Sequence, residues 1–419
     1  MKNKEKKFYP PRGLRPFDSG GVYLMSMVTL YIVEAFMIII LGFFKNDGIN
    51  VEESKAVAYV TMLINQLAFG LTPFIYTQFN GLKFTREINF KKGISPLQAF
   101  ILVVMALMSI VAFMPVTQLF IMLVTKLGYK FEIAVPNYTN TFGIFVVSVI
   151  FTALLPAIGE EILMRGFVAK GLRRYGILAA MLISSLIFAT AHGNLLQLVY
   201  QFFLGAVLFT VYFATKSIYA SMIIHFTNNA TALLIDFILY KTTGSTNIEI
   251  PLSTGMTVLV FIAVSAVGCV LLTLLMRLFL KTAKRRQDDY VGGREIDFGG
   301  SLLYAHDDGS RKRVFVSKKS GEANVVKRKR EKADNFITKY LDYLRYLNYS
   351  FEEEELERAK KELEEKDVNE AENERDKEYY GELLRSRRDK EIRWDRNLVI
   401  MAVVFNLFLL VINAIGAFS

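Results

Sequence analysis

Cysteine and histidine are nearly missing from this sequence of 419 residues: it has one of the first and three of the second. The lone Cys269 excludes an internal disulfide, and inside an apolar segment it says nothing about redox compartment. Internal repeats are absent, and no paired, broken apolar segments appear of the kind many transporters show. The first apolar stretch, "GVYLMSMVTLYIVEAFMIIILGFF", lacks a small-residue cleavage site. It also exceeds the roughly 7–15 residues of a signal-peptide core, so we expect it to stay as an anchor. Positive charge is scarce in two loops, "KNDGINVEESKA" and "KTTGSTNIEIPLS".

What the chain does have is apolar sequence in long blocks. Hydrophobic residues make up 53% of it, above the ~45–50% of ordinary soluble domains, and the blocks exceed about 18 residues, the length that points to membrane helices. The blocks predict an all-α, polytopic membrane helix bundle with nine spans, near 21–44, 57–78, 97–125, 142–168, 176–192, 195–214, 217–240, 255–280 and 397–418. The 20 Tyr and 34 Phe within such spans read as packing and interface anchors rather than a cofactor site.

The formal charge of +10 reads as basic cytoplasmic loops, not as nucleic-acid binding. Lys and Arg cluster in the N-terminal tail, at Lys83, Arg86, Lys91 and Lys92, at Lys170, Arg173 and Arg174, at Lys216, and at Lys281, Lys284, Arg285 and Arg286. These sites fall on alternate ends of successive spans, which predicts an integral, multi-pass protein of a bacterial plasma membrane with its N-terminus in the cytoplasm. Residues 1–20 form a basic cytoplasmic tail, 21–280 the membrane core, 281–396 a hydrophilic cytoplasmic insert, and 397–419 a C-terminal span. The insert reads as irregular to about residue 325 and as a charged helix or helical hairpin from about 335 to 394, with Glu357–Lys361 and Glu362–Lys366 at i,i+4. It reads as a solvated helix without a site, with a docking or regulatory role for a protein partner as the alternative.

Charges inside the spans need a reason. "LLPAIGEEILMRGF" sets Glu160, Glu161 and Arg165 in apolar sequence, where each costs about 2.5–3.5 kcal/mol on insertion scales. Residues four apart share a helix face, so Glu161 and Arg165 can neutralise each other while Glu160, about 100° round the helix, keeps no local partner. Pro156, one turn before Glu160, removes a backbone donor. His192 and His225 also lie in apolar segments, Phe188 shares a face with His192, and Asn229 shares one with His225. Counted at ~1.5 Å per residue from the cytoplasmic ends, Glu160, His192, His225 and Asn229 fall in one layer roughly 12 Å deep. The remaining polar residues read as structural: His306 as a surface residue, Glu34 as a buried hydrogen-bonding group or part of a cavity wall, Asp236 as reaching interfacial water, and Lys216 as snorkelling.

On these residues the chain resembles a known family. "EEILMR" fits EExxxR, "FATAH" fits FxxxH and "HFTNN" fits HxxxN, in that order and on separate spans. These are the motifs of the CPBP intramembrane proteases, which include type II CAAX prenyl endopeptidases, bacterial Abi proteins and bacteriocin-processing relatives. The resemblance covers about residues 21–280 and is most specific over 151–235. It implies a hydrolase in which Glu160 activates water, His192 holds it, and His225 and Asn229 stabilise the oxyanion, with Glu161, Arg165 and Phe188 in support. The family is often described as metalloproteases, which makes Zn²⁺ a candidate cofactor on Glu160, His192 and His225. A metal-bound Glu160 would leave the base to be found elsewhere. The implied substrate is a membrane-associated protein or peptide, CAAX-like or a peptide precursor. Two other classes fit part of the pattern: a proton- or metal-coupled transporter, and a non-catalytic scaffold or bacteriocin-immunity-type protein.

Overall fold

Long runs of Leu, Ile, Val, Phe and Ala form helices here because lipid offers no partner to backbone N–H and C=O groups, and a helix satisfies them within one segment. A computed structural model of the chain describes residues 14–45, 55–80, 82–90, 93–129, 141–244, 253–288, 399–408 and 410–411, with four strands between 296 and 325. The tail up to residue 13, His306 and the charged helix expected at 335–394 lie outside the described residues.

The helices are α1 (Pro16–Lys45), α2 (Lys55–Phe79), the short α3 (Phe84–Glu87) and α4 (Pro96–Lys126), then the composite α5 (Phe142–Leu172), α6 (Ile177–Ala191), α7 (Leu198–Thr215), α8 (Ile218–Thr243), α9 (Thr254–Asp288) and α10 (Val399–Phe408). Among the described residues, seven helices are long and apolar enough to cross a membrane. The other two expected spans, α6 and α10, are apolar but shorter. For α6 the cause is local. Gly193 takes a left-handed conformation (φ 60°) and Asn194 Oδ1 accepts from Leu196 N–H at 2.9 Å, so the chain turns back after 15 residues. That is about 22 Å of helix against a hydrocarbon core of about 30 Å. His192, at the end of α6, therefore lies at a turn within membrane depth.

Helix starts follow from the sequence. Ser95 caps α4: its Oγ accepts from Gln98 N–H at 3.2 Å while Gln98 Oε1 accepts from Ser95 N–H at 3.0 Å, and Pro96 follows at the position that needs no donor. Close contacts between helices are made at small residues, as lipid-embedded packing requires. A Cβ on Gly159 of α5 would stand 2.9 Å from the backbone oxygen of Gln66 in α2, and one on Gly268 of α9 would stand 2.6 Å from the backbone nitrogen of Ala112 in α4. The late helix α10 ties the first helix to the sixth. Tyr23 OH donates to Asn406 Oδ1 at 2.8 Å, and Asn406 Nδ2 donates to the Ile187 carbonyl at 3.4 Å.

Three expectations are corrected. Lys170 and Arg173, read as cytoplasmic surface charges, are buried. Lys170 Nζ lies 2.9 Å from Glu87 Oε2 and donates to the carbonyls of Arg86 and Glu87 at 3.2 Å. Lys216 does not snorkel; it is buried in a left-handed turn (φ 51°) closing α7. The segment expected to be irregular contains an antiparallel meander of β1 (Ile296–Phe298), β2 (Ser301–Ala305), β3 (Arg311–Val316) and β4 (Ala323–Val325). Gly299–Gly300 and Asp308–Gly309 separate its first three strands, dipeptides that favour hairpin turns.

Candidate active site

Helix α5 is irregular where the chemistry-bearing residues are. Two π-helical stretches, Val149–Leu154 and Ile162–Ala169, flank one α-helical segment, Leu155–Glu161, that carries both glutamates. Such wide turns recur at functional sites because they re-aim side chains. Pro156 opens the α segment and has no N–H for the carbonyl four residues earlier, that of Thr152. Asn229 Nδ2 donates to that carbonyl at 3.2 Å.

The two adjacent glutamates have different surroundings. Glu161 is wholly buried. Arg165 Nε stands 3.1 Å from its Oε2, the pairing that i,i+4 spacing predicts, and His225 Nδ1 is 2.9 Å from its Oε1. The Arg165 guanidinium also lies 4.6 Å over the Phe188 ring and donates to the Gly205 carbonyl at 3.4 Å. Glu160, with its side chain 18% exposed, has a looser setting: its Oε2 faces His225 Nε2 at 3.9 Å. Its Oε1 accepts from Gln66 Nε2 at 3.3 Å. The sequence reading left Glu160 without a partner; α2 supplies one.

Both histidines are held in the same way. A carbonyl can only accept, so His192 Nδ1, 2.8 Å from the Phe188 carbonyl, carries the proton there. His225 Nδ1 stands likewise against the Glu161 carboxylate. Each Nε2 is then turned away from its anchor, the arrangement by which proteins orient a working imidazole. Phe188 joins them: its ring meets His192 edge-on at 5.1 Å and His225 edge-on at 5.8 Å.

The structure thus brings Glu160, Glu161, Arg165, Phe188 and His225 into direct contact. His192 joins through Phe188, and Asn229 through Thr152 of α5. Three participants were missed. Gln66 bonds Glu160, Asn228 Nδ2 donates to Asn229 Oδ1 at 3.2 Å, and Tyr200 OH donates to Asn228 Oδ1. The signal for the two amides was available, since each is a polar side chain within an apolar span. Glu34 is not isolated either, accepting from Asn65 Nδ2 at 3.3 Å, and Asp236 is partly exposed on α8.

The expected zinc site was tested against these residues. Among the described residues, no three of His, Cys, Asp and Glu stand close enough together to hold one ion. Glu160 and His225 face each other at 3.9 Å, and no third side chain of these types completes a set for one ion among the described residues.

No curated protein and no solved structure matches the chain. One family model does, described as type II CAAX prenyl endopeptidase Rce1-like, over residues 142–231. That stretch runs from the start of α5 into α8 and holds Glu160, Glu161, Arg165, Phe188, His192, His225 and Asn229. Over those residues the chain is similar to the type II CAAX prenyl endopeptidase Rce1-like family.

Proposed function

We propose that the chain is an intramembrane endopeptidase that hydrolyses a peptide bond of a membrane-associated substrate, with Glu160 as general base. The observation that carries this reading is the contrast between the neighbouring carboxylates. Glu161 is locked by Arg165 and His225, while Glu160 turns an oxygen to His225 Nε2 across 3.9 Å. That distance is too long for a hydrogen bond and suits one bridging water.

The steps follow from these side chains. Glu160 Oε2 takes a proton from the water as the water oxygen attacks the scissile carbonyl. His192 Nε2, its lone pair exposed by the Nδ1–H anchor, accepts the water's second hydrogen and orients it. The oxyanion then needs donors. One amide N–H of Asn229 is spent on Thr152, and the other is free for it. His225 donates from Nε2 when protonated, as Glu161 holds its Nδ1–H. Glu160 finally returns its proton to the leaving amine. No step is routed through a metal, because the residues do not gather around one.

The family description supports a prenylated substrate ending in a CAAX sequence. The distribution of Lys and Arg in the loops supports an N-terminus in the cytoplasm. The test is cleavage by the purified chain in proteoliposomes. The substrates are quenched fluorescent peptides: a farnesylated peptide ending in CAAX, its unprenylated twin, and an unrelated transmembrane peptide. We expect cleavage of the farnesylated peptide by the wild type and none by Glu160→Gln. Equal cleavage by the two proteins, or none by the wild type, would sink the proposal.

A further inference from the structure

Asn229 is partly exposed on α8, and a primary amide is ambiguous by nature: rotated by 180°, it presents an acceptor where it had presented a donor. An oxyanion stabiliser rotated that way would repel the charge it should bind. Two contacts forbid the rotation. On the nitrogen side, the Thr152 carbonyl can only accept, and Asn229 Nδ2 meets it at 3.2 Å. On the oxygen side, Asn228 Nδ2 donates to Asn229 Oδ1 at 3.2 Å.

Asn228 is itself an amide with the same ambiguity. Its orientation follows from that of Asn229, whose Oδ1 can only accept, and the hydroxyl of Tyr200, able to donate or accept, donates to the Oδ1 so presented. Tyr200 and Asn228 are both buried, and the Tyr200 ring is braced edge-on against Phe113 of α4 at 6.3 Å. The chain of donors runs Tyr200, Asn228, Asn229, Thr152, from α7 across α8 to α5, and every amide in it has its oxygen and its nitrogen assigned.

We infer that Tyr200 and Asn228 are positioning residues: they hold the Asn229 amide in the orientation that the Thr152 carbonyl selects, so that its remaining N–H is offered to the oxyanion. The inference rests on the peptidase reading and adds to it two residues that touch neither water nor peptide. Tyr200 is a firm end to this chain because packing of its ring against Phe113 fixes where its hydroxyl stands. Pro156 acts at the other end by leaving the Thr152 carbonyl open to Asn229.

The test is a double-mutant cycle on the farnesylated CAAX peptide, read as kcat and KM separately. Tyr200→Phe keeps the ring and removes only the donor. We expect kcat to fall roughly tenfold, less than the 10²–10³ lost when an oxyanion donor is removed outright, with KM within about twofold. In an Asn229→Ala background, Tyr200→Phe should change kcat no further, since the amide it helps to hold is gone. Asn228→Asp, which keeps the acceptor for Tyr200 and removes the donor to Asn229, gives a second cycle with the same expectation should Tyr200→Phe fold poorly. An unchanged kcat in both variants, or the same fold-loss with and without Asn229, would overturn the inference while leaving the peptidase reading standing. Absence of cleavage by the wild type would overturn that reading instead.

Discussion

Two of the helix crossings made at a glycine differ in what else they bring. Where α9 crosses α4, Gly268 meets the backbone of Ala112, and the polar contact there is Ser265 Oγ donating to the Ala112 carbonyl at 2.7 Å. Where α5 crosses α2, Gly159 meets the backbone of Gln66, and the side chain of that same Gln66 bonds Glu160. Both contacts hold helices together in lipid by close packing. Only the second couples a backbone approach to a side chain that performs chemistry in the proposed reaction. Small residues at a crossing therefore say where helices meet; a polar side chain bonded to a carboxylate there says which crossing is functional.

The comparison can be broken from the α5 side most directly at Glu160. Glu160→Gln keeps shape and removes the base, so kcat on the farnesylated peptide should fall by about 10²–10⁴ while the folded yield stays at the wild-type level. A loss smaller than tenfold would remove Glu160 from the role of base. The next largest effect is one of folding. Glu161→Gln or Arg165→Leu strands a charge in low dielectric, at a cost of about 3–5 kcal/mol, so the monodisperse fraction in detergent and its melting temperature should both drop. Wild-type melting behaviour in either variant would mean that the pair is not holding α5.

Paired glycine substitutions sharpen the contrast. Gly159→Ala and Gly268→Ala each put a Cβ within 3 Å of a facing backbone, so both should lower the melting temperature. Only Gly159→Ala should also lower kcat per folded molecule, by roughly tenfold, because moving α2 carries Gln66 off Glu160 and a hydrogen bond to a charged group is worth about 1.5–3 kcal/mol. Equal kcat losses at the two positions would erase the distinction. The smallest effect belongs to Ser265→Ala, with kcat within about twofold and a stability change of about 1 kcal/mol. A large loss of turnover there would tie the α4–α9 crossing to the chemistry after all.

How much of this was legible in the sequence depends on the distance over which partners are recruited. The Glu161–Arg165 pair is a four-residue relation and could be read directly. The three motifs placed Glu160, His192, His225 and Asn229 in one layer, and the Glu160–His225 contact lies within it. Gln66, 94 residues from Glu160, and Tyr200, 28 residues from Asn228, belong to no motif, and their roles arise only where helices cross. The partner of Lys170 was hidden for the same reason: Glu87, 83 residues earlier, stands beside it only in the fold. In α6 the bounds were legible: the sequence places one span at 176–192 and the next from 195, and the turn at Gly193–Asn194 falls in the gap.

The tie made by Asn406 has a consequence in time rather than in space. Synthesis runs from the N-terminus, and Asn406 comes 219 residues after Ile187 and 383 after Tyr23. All four residues assigned to the reaction are in the membrane before the helix that joins α1 to α6 has been made. Until α10 arrives, the Tyr23 hydroxyl lacks the Asn406 acceptor, and the Ile187 carbonyl, one residue before Phe188, has only donors from its own helix such as Thr190 Oγ1. The ribosome therefore delivers the chemistry first and its brace last, so the growing chain passes through a stage with every reacting group present and the helix beneath His192 not yet secured.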